Sequence, residues 1–245
     1  MQKSDCRLYF DSKCVDEGIK FISLIKHYLG KHAGEPFVLS DWEAFIFAYI
    51  FGLKWKSTGL RVTRSVYIEM ARKQGKSAFT AAIGLYMLLA DGEASPEIVF
   101  CANSREQAKI ILNITQNFAK SLDTKGGVLK QFRQQIQCKS NNGFIKIISS
   151  DASKGDGMNI SFFVEDEFHE AKDRRLYDVL ASSQGMRTQP LAMVITTAVI
   201  TLTGRVMICI CLVLRYLMVL NKTKNKHSSS LTLTRMMIGR TRICG

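Results

Sequence analysis

Residues 65–90 change character abruptly, and the change restricts what the chain can fold into. Ser65-Val66-Tyr67-Ile68-Glu69-Met70 is rich in β-branched and aromatic residues and reads as a strand. Ala71-Arg72-Lys73-Gln74-Gly75 is a short polar turn, and Lys76 to Ala90 is a helix of small and apolar residues. A strand that turns through a glycine directly into a helix presents unpaired backbone N–H groups and the positive end of the helix dipole at one point. That is a ready site for an anion. Gly75 lets the backbone approach a ligand closely, Lys76 can reach the β- and γ-phosphates of a nucleotide, and the Ser77 hydroxyl can face Mg²⁺. The standard phosphate loop begins with a glycine five residues before the second one. Met70 occupies that position, so the match is partial, and the same run also reads as a solvated basic turn capping a helix.

The rest of the chain sets this turn in an alternating pattern. An apolar pattern from Gly18 to Leu29 predicts a helix that Pro36 ends, and Ser40-Asp41 offers an N-cap for a second helix ending near Gly52. Glu97 to Ala102 predicts a buried strand, and Ser104 caps a helix from Arg105 to about Leu122. Phe144 to Ile148, Ile160 to Val164 and Leu191 to Ile195 predict further strands. Strands alternating with helices imply an α/β fold with a mostly parallel sheet.

Composition narrows the class. Of 245 residues, 47% are hydrophobic and only three are proline, which excludes a disordered chain. The seven cysteines form no CxxC pair, and no secretory signal opens the chain, so free thiols in a reducing compartment are expected. No apolar run reaches the ~18 residues that cross a bilayer. The net charge of +13 fits a polyanionic partner. It is unevenly distributed: residues 199–245 hold eight Lys or Arg and no acid, where the acidic density of the preceding residues would give about five.

A second cluster supplies what the turn lacks. Phosphoryl transfer to water needs a carboxylate for the metal shell and a base that orients the water. The apolar run Ile160–Val164 leads into Glu165-Asp166-Glu167-Phe168-His169-Glu170, and the C-terminal ends of strands are where open α/β sheets place their sites. Asp166 suits the metal, Glu167 suits the water, and Glu165 is an acid where an apolar residue is expected. His169 has no second histidine nearby, so it reads as a hydrogen-bonding residue rather than a zinc ligand. Alone the cluster is a solvated acidic turn; paired with residues 71–77 it reads as a site.

Together these residues resemble the large terminase subunit of tailed bacteriophages, the ATPase that drives DNA into the procapsid. Pro36-Phe37-Val38-Leu39-Ser40-Asp41-Trp42-Glu43 resembles the family's adenine-side motif, with Glu43 standing where the family has glutamine. Arg72-Lys73-Gln74-Gly75-Lys76-Ser77 is similar to the family's deviant phosphate loop, in which the early glycine is absent and an arginine lies close to the γ-phosphate. Phe100 to Ala108 resembles the segment after the second strand. Ser150-Asp151-Ala152 and Asp156-Gly157-Met158-Asn159 precede the acidic motif as in the family, and Ile195-Thr196-Thr197-Ala198 looks like the coupling motif. The resemblance implies a three-layer P-loop NTPase sandwich over 36–198, after a helical segment at 1–35. It assigns Arg72, Lys73, Gln74, Gly75, Lys76, Ser77, Trp42 and Glu43 to ATP, and Ser77 and Asp166 to Mg²⁺. Glu167, Arg72 and Lys76 become catalytic, and Thr196 and Thr197 couple hydrolysis to motion. The implied partners are double-stranded DNA, the portal protein, the small terminase subunit and further copies in a ring, in the bacterial cytoplasm and away from membranes.

The resemblance ends at Ala198, and residues 199–245 are expected to be an aberrant basic tail read out of frame. Read one nucleotide earlier, the codons of 199 onward permit Gly-Tyr-Asn-Leu-Asp-Gly-Pro, the family's continuation. Read one nucleotide later, Met207-Ile208 and Met236-Met237 force stop codons. The family's nuclease domain is then absent, the gene truncated, and Val206–Leu220 an apolar run outside the designed core. The alternatives are an inactive DNA-binding remnant of a prophage gene and a helicase-like P-loop ATPase, the latter disfavoured because no second lobe with an arginine finger is visible.

Overall fold

The computed structural model describes residues 7–149, 157–168 and 174–197, together with the backbone of 236 and 237. His169, residues 150–156 and the tail, apart from that two-residue backbone, lie outside the described residues, as does the apolar run Val206–Leu220.

The chain opens with strand β1 (Leu8–Phe10) and helix α1 (Ser12–Ser23), whose first turn is capped by the Asp11 carboxylate accepting the Cys14 N–H at 3.0 Å. The helix therefore begins six residues earlier than the apolar pattern from Gly18 suggested, and the N-terminal segment contributes a strand as well as a helix. Helix α2 (Asp41–Gly52) follows its Ser40 cap, and strand β2 (Leu53–Trp55) pairs antiparallel with β1.

Then come β3 (Ser65–Met70), α3 (Lys76–Leu89), β4 (Glu97–Ala102) and α4 (Arg105–Leu122). These bounds match the sequence pattern because strong local signals set them. Ser104 and Gln107 cap α4 reciprocally, each side chain accepting the other's backbone N–H at 3.2 Å. A hairpin that the sequence did not reveal, β5 (Leu129–Phe132) and β6 (Gln135–Cys138), leads into β7 (Phe144–Ser149). Its strands are four residues each, with apolar and polar residues in equal number, so they carry no apolar run. The chain continues through β8 (Ile160–Asp166), α5 (Arg175–Ser182), β9 (Leu191–Thr197) and the strand β10 (Met236–Met237).

The sheet order is β10-β3-β9-β8-β4-β7-β6-β5, and β3, β9, β8, β4 and β7 run parallel. The central strands β4, β8 and β9 are buried on both faces, which is why they read as continuous apolar runs. Side chains alternate between two cores. Ile68, Phe100, Phe162 and Met193 meet α1–α4 on one face; Val99, Phe163 and Ala192 meet Leu176 and Leu180 of α5 on the other. The result is the three-layer α/β sandwich that the sequence implied.

Helix α3 lies close on the sheet at Gly84. A Cβ there would sit 2.5 Å from the Phe100 ring, which is fully buried and has no room to withdraw. Ala at this position gains helix propensity but overfills the contact, and overpacking is the larger effect. Gly84→Ala is expected to lower stability by about 1–2 kcal/mol, read as a lower urea midpoint at unchanged slope.

Candidate active site

Sheet order decides the site. The phosphate-loop turn leaves β3, and the acidic turn leaves β8. Strand β9 lies between them, with Met70 opposite Thr197 and Asp166 opposite Ile195. The last residue of β9 therefore emerges between the two turns.

Thr197 bridges them. The Lys76 ammonium donates to Thr197 Oγ1 at 2.6 Å, and the Thr197 hydroxyl lies 2.9 and 2.8 Å from the two Glu167 carboxylate oxygens and donates to them. The Thr197 backbone N–H donates to Glu167 Oε2 at 3.2 Å. Lys76 Nζ itself is 3.7 Å from Glu167 Oε1, with side chains only 10% and 23% exposed. An ion pair this sheltered from water interacts more strongly than one on the surface.

Glu167 is held from behind as well. Its N–H donates to Asp166 Oδ1 at 3.0 Å, and its carbonyl accepts from Asn103 Nδ2 at 3.0 Å. Its φ of +53° lies in the left-handed region, which a side chain with a Cβ occupies only when its surroundings enforce it. Asn103, at the end of β4, is a site residue that sequence reading did not single out. A lone asparagine between a strand and a helix cap carries no signal until the strands are placed side by side.

The loop is shaped by two further left-handed residues, Lys73 at φ +64° and Gly75 at +83°. Gly75 is the N-cap of α3, so glycine serves there because it enters the left-handed region without a Cβ penalty. Arg72, Lys73 and Gln74 form the exposed crest of the loop, and Lys76 and Ser77 open the helix half-buried beneath it. Thr196 is buried in β9 opposite Glu69.

From α2, Glu43 comes to the same loop and Trp42 to the helix behind it. The Trp42 ring meets Phe79 of α3 edge-on, with centroids 5.3 Å apart. Glu43 is buried, and its Oε2 accepts both the N–H and the hydroxyl of Ser40, at 2.8 and 2.7 Å. Its other oxygen, Oε1, would be 3.5 Å from a Cβ on Gly75. Burial pushes the Glu43 carboxyl above the usual range, opposed by the two Ser40 bonds.

Among the described residues no group of three or more His, Cys, Asp or Glu forms a ready-made metal cage. The oxygen donors Ser77 and Asp166 fit a hard cation that takes most of its ligands from phosphates and water, as Mg²⁺ does.

Glu165 faces the other core. It is 3% exposed, and its Oε2 has no hydrogen-bond partner among the described residues. Burial, and then the charge of Asp178 on α5, push it up to about 7. Burial and the carboxyls of Glu165 and Asp166 likewise raise the thiol of Cys101, a free cysteine one strand away.

A parallel sheet with a glycine–lysine turn on one strand and an acidic turn two strands away defines a P-loop-type ATPase fold. The family model "Terminase large subunit, ATPase domain" matches residues 41–207, and the chain belongs to that family. Among solved structures, the large terminase of bacteriophage HK97 superposes with a TM-score of 0.61 at 21% identity. The alignment spans 74% of this chain and 37% of that one, so this chain covers little more than a third of its relative's length. The ATPase domain of the Thermus phage P74-26 large terminase, a point mutant, aligns with a TM-score of 0.47 at 16% identity over 57% of this chain and 62% of that one. No curated protein matches in sequence.

The raised Glu165 fixes a pH dependence. The folded state holds this proton up to about 7, against an ordinary value of 4.5. The folded protein thus binds more protons than the unfolded chain in that window. Stability falls as pH rises from 4.5 to 7, and the penalty is complete above it. Glu165→Gln removes the titration, so its stabilisation relative to the parent should be roughly 2 kcal/mol larger at pH 8 than at pH 5 by urea unfolding. An equal difference at both pH values contradicts this account of Glu165.

Proposed function

We propose that this chain carries the ATP-hydrolysing motor unit of a phage DNA-packaging terminase. The observation that supports the reading most directly is the Lys76–Thr197–Glu167 chain of contacts, formed by the first residue of α3, the last of β9 and the residue after β8. Lys76 and the N–H groups at the start of α3 take the phosphates, and Arg72 on the loop crest stabilises the γ-phosphate. Ser77 and Asp166 hold Mg²⁺, which supplies charge neutralisation on the phosphates. Glu167 orients and polarises the attacking water. Trp42 and Glu43 flank the nucleotide from α2.

Lys76 and Glu167 neutralise one another through Thr197. Triphosphate competes for the lysine with more negative charge than a single carboxylate, and Thr197 keeps its bond to Glu167 when Lys76 is drawn away. Thr197 touches both groups, so it registers which of them is engaged. This gives Thr197 a coupling role, which the family resemblance extends to Thr196, the residue before it in β9.

On this reading the motor unit is 36–198, preceded by the supporting segment 1–35 and followed by a basic segment at 199–245 read out of frame. The unit works on double-stranded DNA in the bacterial cytoplasm, with the portal, the small subunit and further copies in a ring. No helix among the described residues is long and apolar enough to cross a membrane.

Lys76→Ala is expected to weaken nucleotide binding by about 10–100-fold, the loss of one charge-assisted contact, and to abolish turnover. Glu167→Gln should bind ATP as the parent does and hydrolyse it about 100-fold more slowly. Titration with a fluorescent ATP analogue and a phosphate-release assay read the two effects. A Lys76→Ala protein that turns over ATP normally overturns the reading.

A further inference from the structure

Helix α3, into which the phosphate loop runs, has no anion of its own at its start. No acidic residue stands in its first turn, and its N-cap, Gly75, has no side chain to offer. The positive end of its dipole is therefore left to groups from elsewhere. The carboxyl that comes to it belongs to another helix. Glu43, in the first turn of α2, is only 6% exposed, and its Oε1 would be 3.5 Å from a Cβ on Gly75.

The two oxygens of this carboxyl differ. Oε2 accepts the N–H and the hydroxyl of Ser40 at 2.8 and 2.7 Å, so the side chain is pinned to its own helix cap. Oε1, the oxygen beside Gly75, has no hydrogen-bond partner among the described residues. Among those residues no cation lies within ion-pair distance of Glu43 either. Lys76 is engaged by Glu167 at 3.7 Å, Arg72 and Lys73 stand on the exposed crest of the loop, and Asp41 on α2 is exposed and of like sign. A nearly buried carboxyl with one bare oxygen thus adjoins the backbone that would receive phosphate.

We infer that Glu43 is a built-in competitor at the phosphate loop: its ionised carboxyl opposes a bound nucleotide, and its neutral form does not. The inference rests on the ATPase reading above. Two anions brought to one helix start, sheltered from water, repel each other. Phosphate binding therefore favours the protonated carboxyl, and Glu43 takes up a proton as nucleotide enters. Burial already holds this carboxyl above its ordinary value, against the two Ser40 bonds, so the phosphates extend a shift that the fold has begun. The sign follows from linkage. A group that binds its proton more tightly in the complex makes the complex tighter at low pH, and affinity falls as pH rises through the Glu43 transition. Glutamine at this position carries no charge and keeps an oxygen that accepts from Ser40, so it preserves the cap without the competition. Glu43 sets how readily the loop loads, and does so by repulsion.

The test titrates a fluorescent ATP analogue into the full chain and into its Glu43→Gln and Ser40→Ala variants, from about pH 5.5 to about pH 8.5. Glu43→Gln should bind about 3–10-fold more tightly than the parent at the high end and within about twofold of it at the low end. Titration of the nucleotide's own phosphates is common to both proteins and cancels in the comparison. Calorimetry in two buffers of different ionisation enthalpy should show proton uptake by the parent that the glutamine variant lacks. Ser40→Ala removes a donor to the ionised carboxyl, so its affinity should begin to match that of Glu43→Gln at a higher pH than the parent's does. A glutamine variant that differs from the parent by the same factor at both ends, or binds more weakly throughout, overturns the competitor role, and so does equal proton uptake. Those outcomes leave the ATPase reading standing. Absence of nucleotide binding by all three proteins at every pH overturns that reading and this inference with it.

Discussion

The lysine and the glutamate of the candidate site meet only because a third strand end lies between them. Lys76 leaves β3 and Glu167 leaves β8, and two strands in those positions do not touch. Inserting β9 puts Thr197 in the gap, and one hydroxyl both accepts from the cation and donates to the anion. Much else serves that contact. Continuous apolar strands hold the three ends level, Asn103 and Asp166 fix the backbone of Glu167 in a conformation it would not adopt alone, and the left-handed turn at Gly75 starts α3 where Lys76 can reach. Two partly sheltered charges would be costly apart, so the arrangement favours either mutual pairing or a ligand that takes one of them.

The two faces of the sheet are unlike. The face that carries α1–α4 is the larger core, with aromatic side chains from Phe47, Phe51 and Tyr86 packed edge to face. It supports the phosphate loop through α3, and α2 brings Trp42 and Glu43 against that helix. A buried arginine reinforces the far end: Arg61 pairs with Asp91 through both of its terminal nitrogens and donates to the Gln189 carbonyl, tying α3 to the approach of β9. The opposite face is thin and holds Glu165, a carboxyl without a hydrogen-bond partner on one oxygen among the described residues. It stands one residue before Asp166, so the strand that delivers the acidic pair carries a destabilising group in its other core.

Much of this was legible without coordinates where the signal is local. The strands at Ser65–Met70 and Glu97–Ala102 and the helices begun by Ser40 and Ser104 follow from runs and caps a few residues long. Lys76 and Glu167 were legible because glycine–lysine–serine after a strand and paired acids after an apolar run are compact patterns. Helix α1 was misplaced because its start depends on a single capping aspartate, Asp11, rather than on periodicity. The hairpin β5–β6 is not legible because each strand is only four residues long with two apolar positions, and its pairing is what makes it a strand pair. Asn103 was missed because its role is a single hydrogen bond to a backbone carbonyl 64 positions away.

By itself the sequence determined the elements and the chemical types: which segments extend, which coil, and which basic and acidic residues follow the strand ends. These depend on backbone propensity and side-chain pattern, which act over a few neighbours. Only the tertiary structure decided that Thr197, 121 positions along the chain from Lys76, joins that lysine to Glu167, and that Glu43 lies beside the loop at Gly75. Those contacts follow from the order of strands in the sheet, which is set by the burial of whole faces and has no signature in any short stretch of chain.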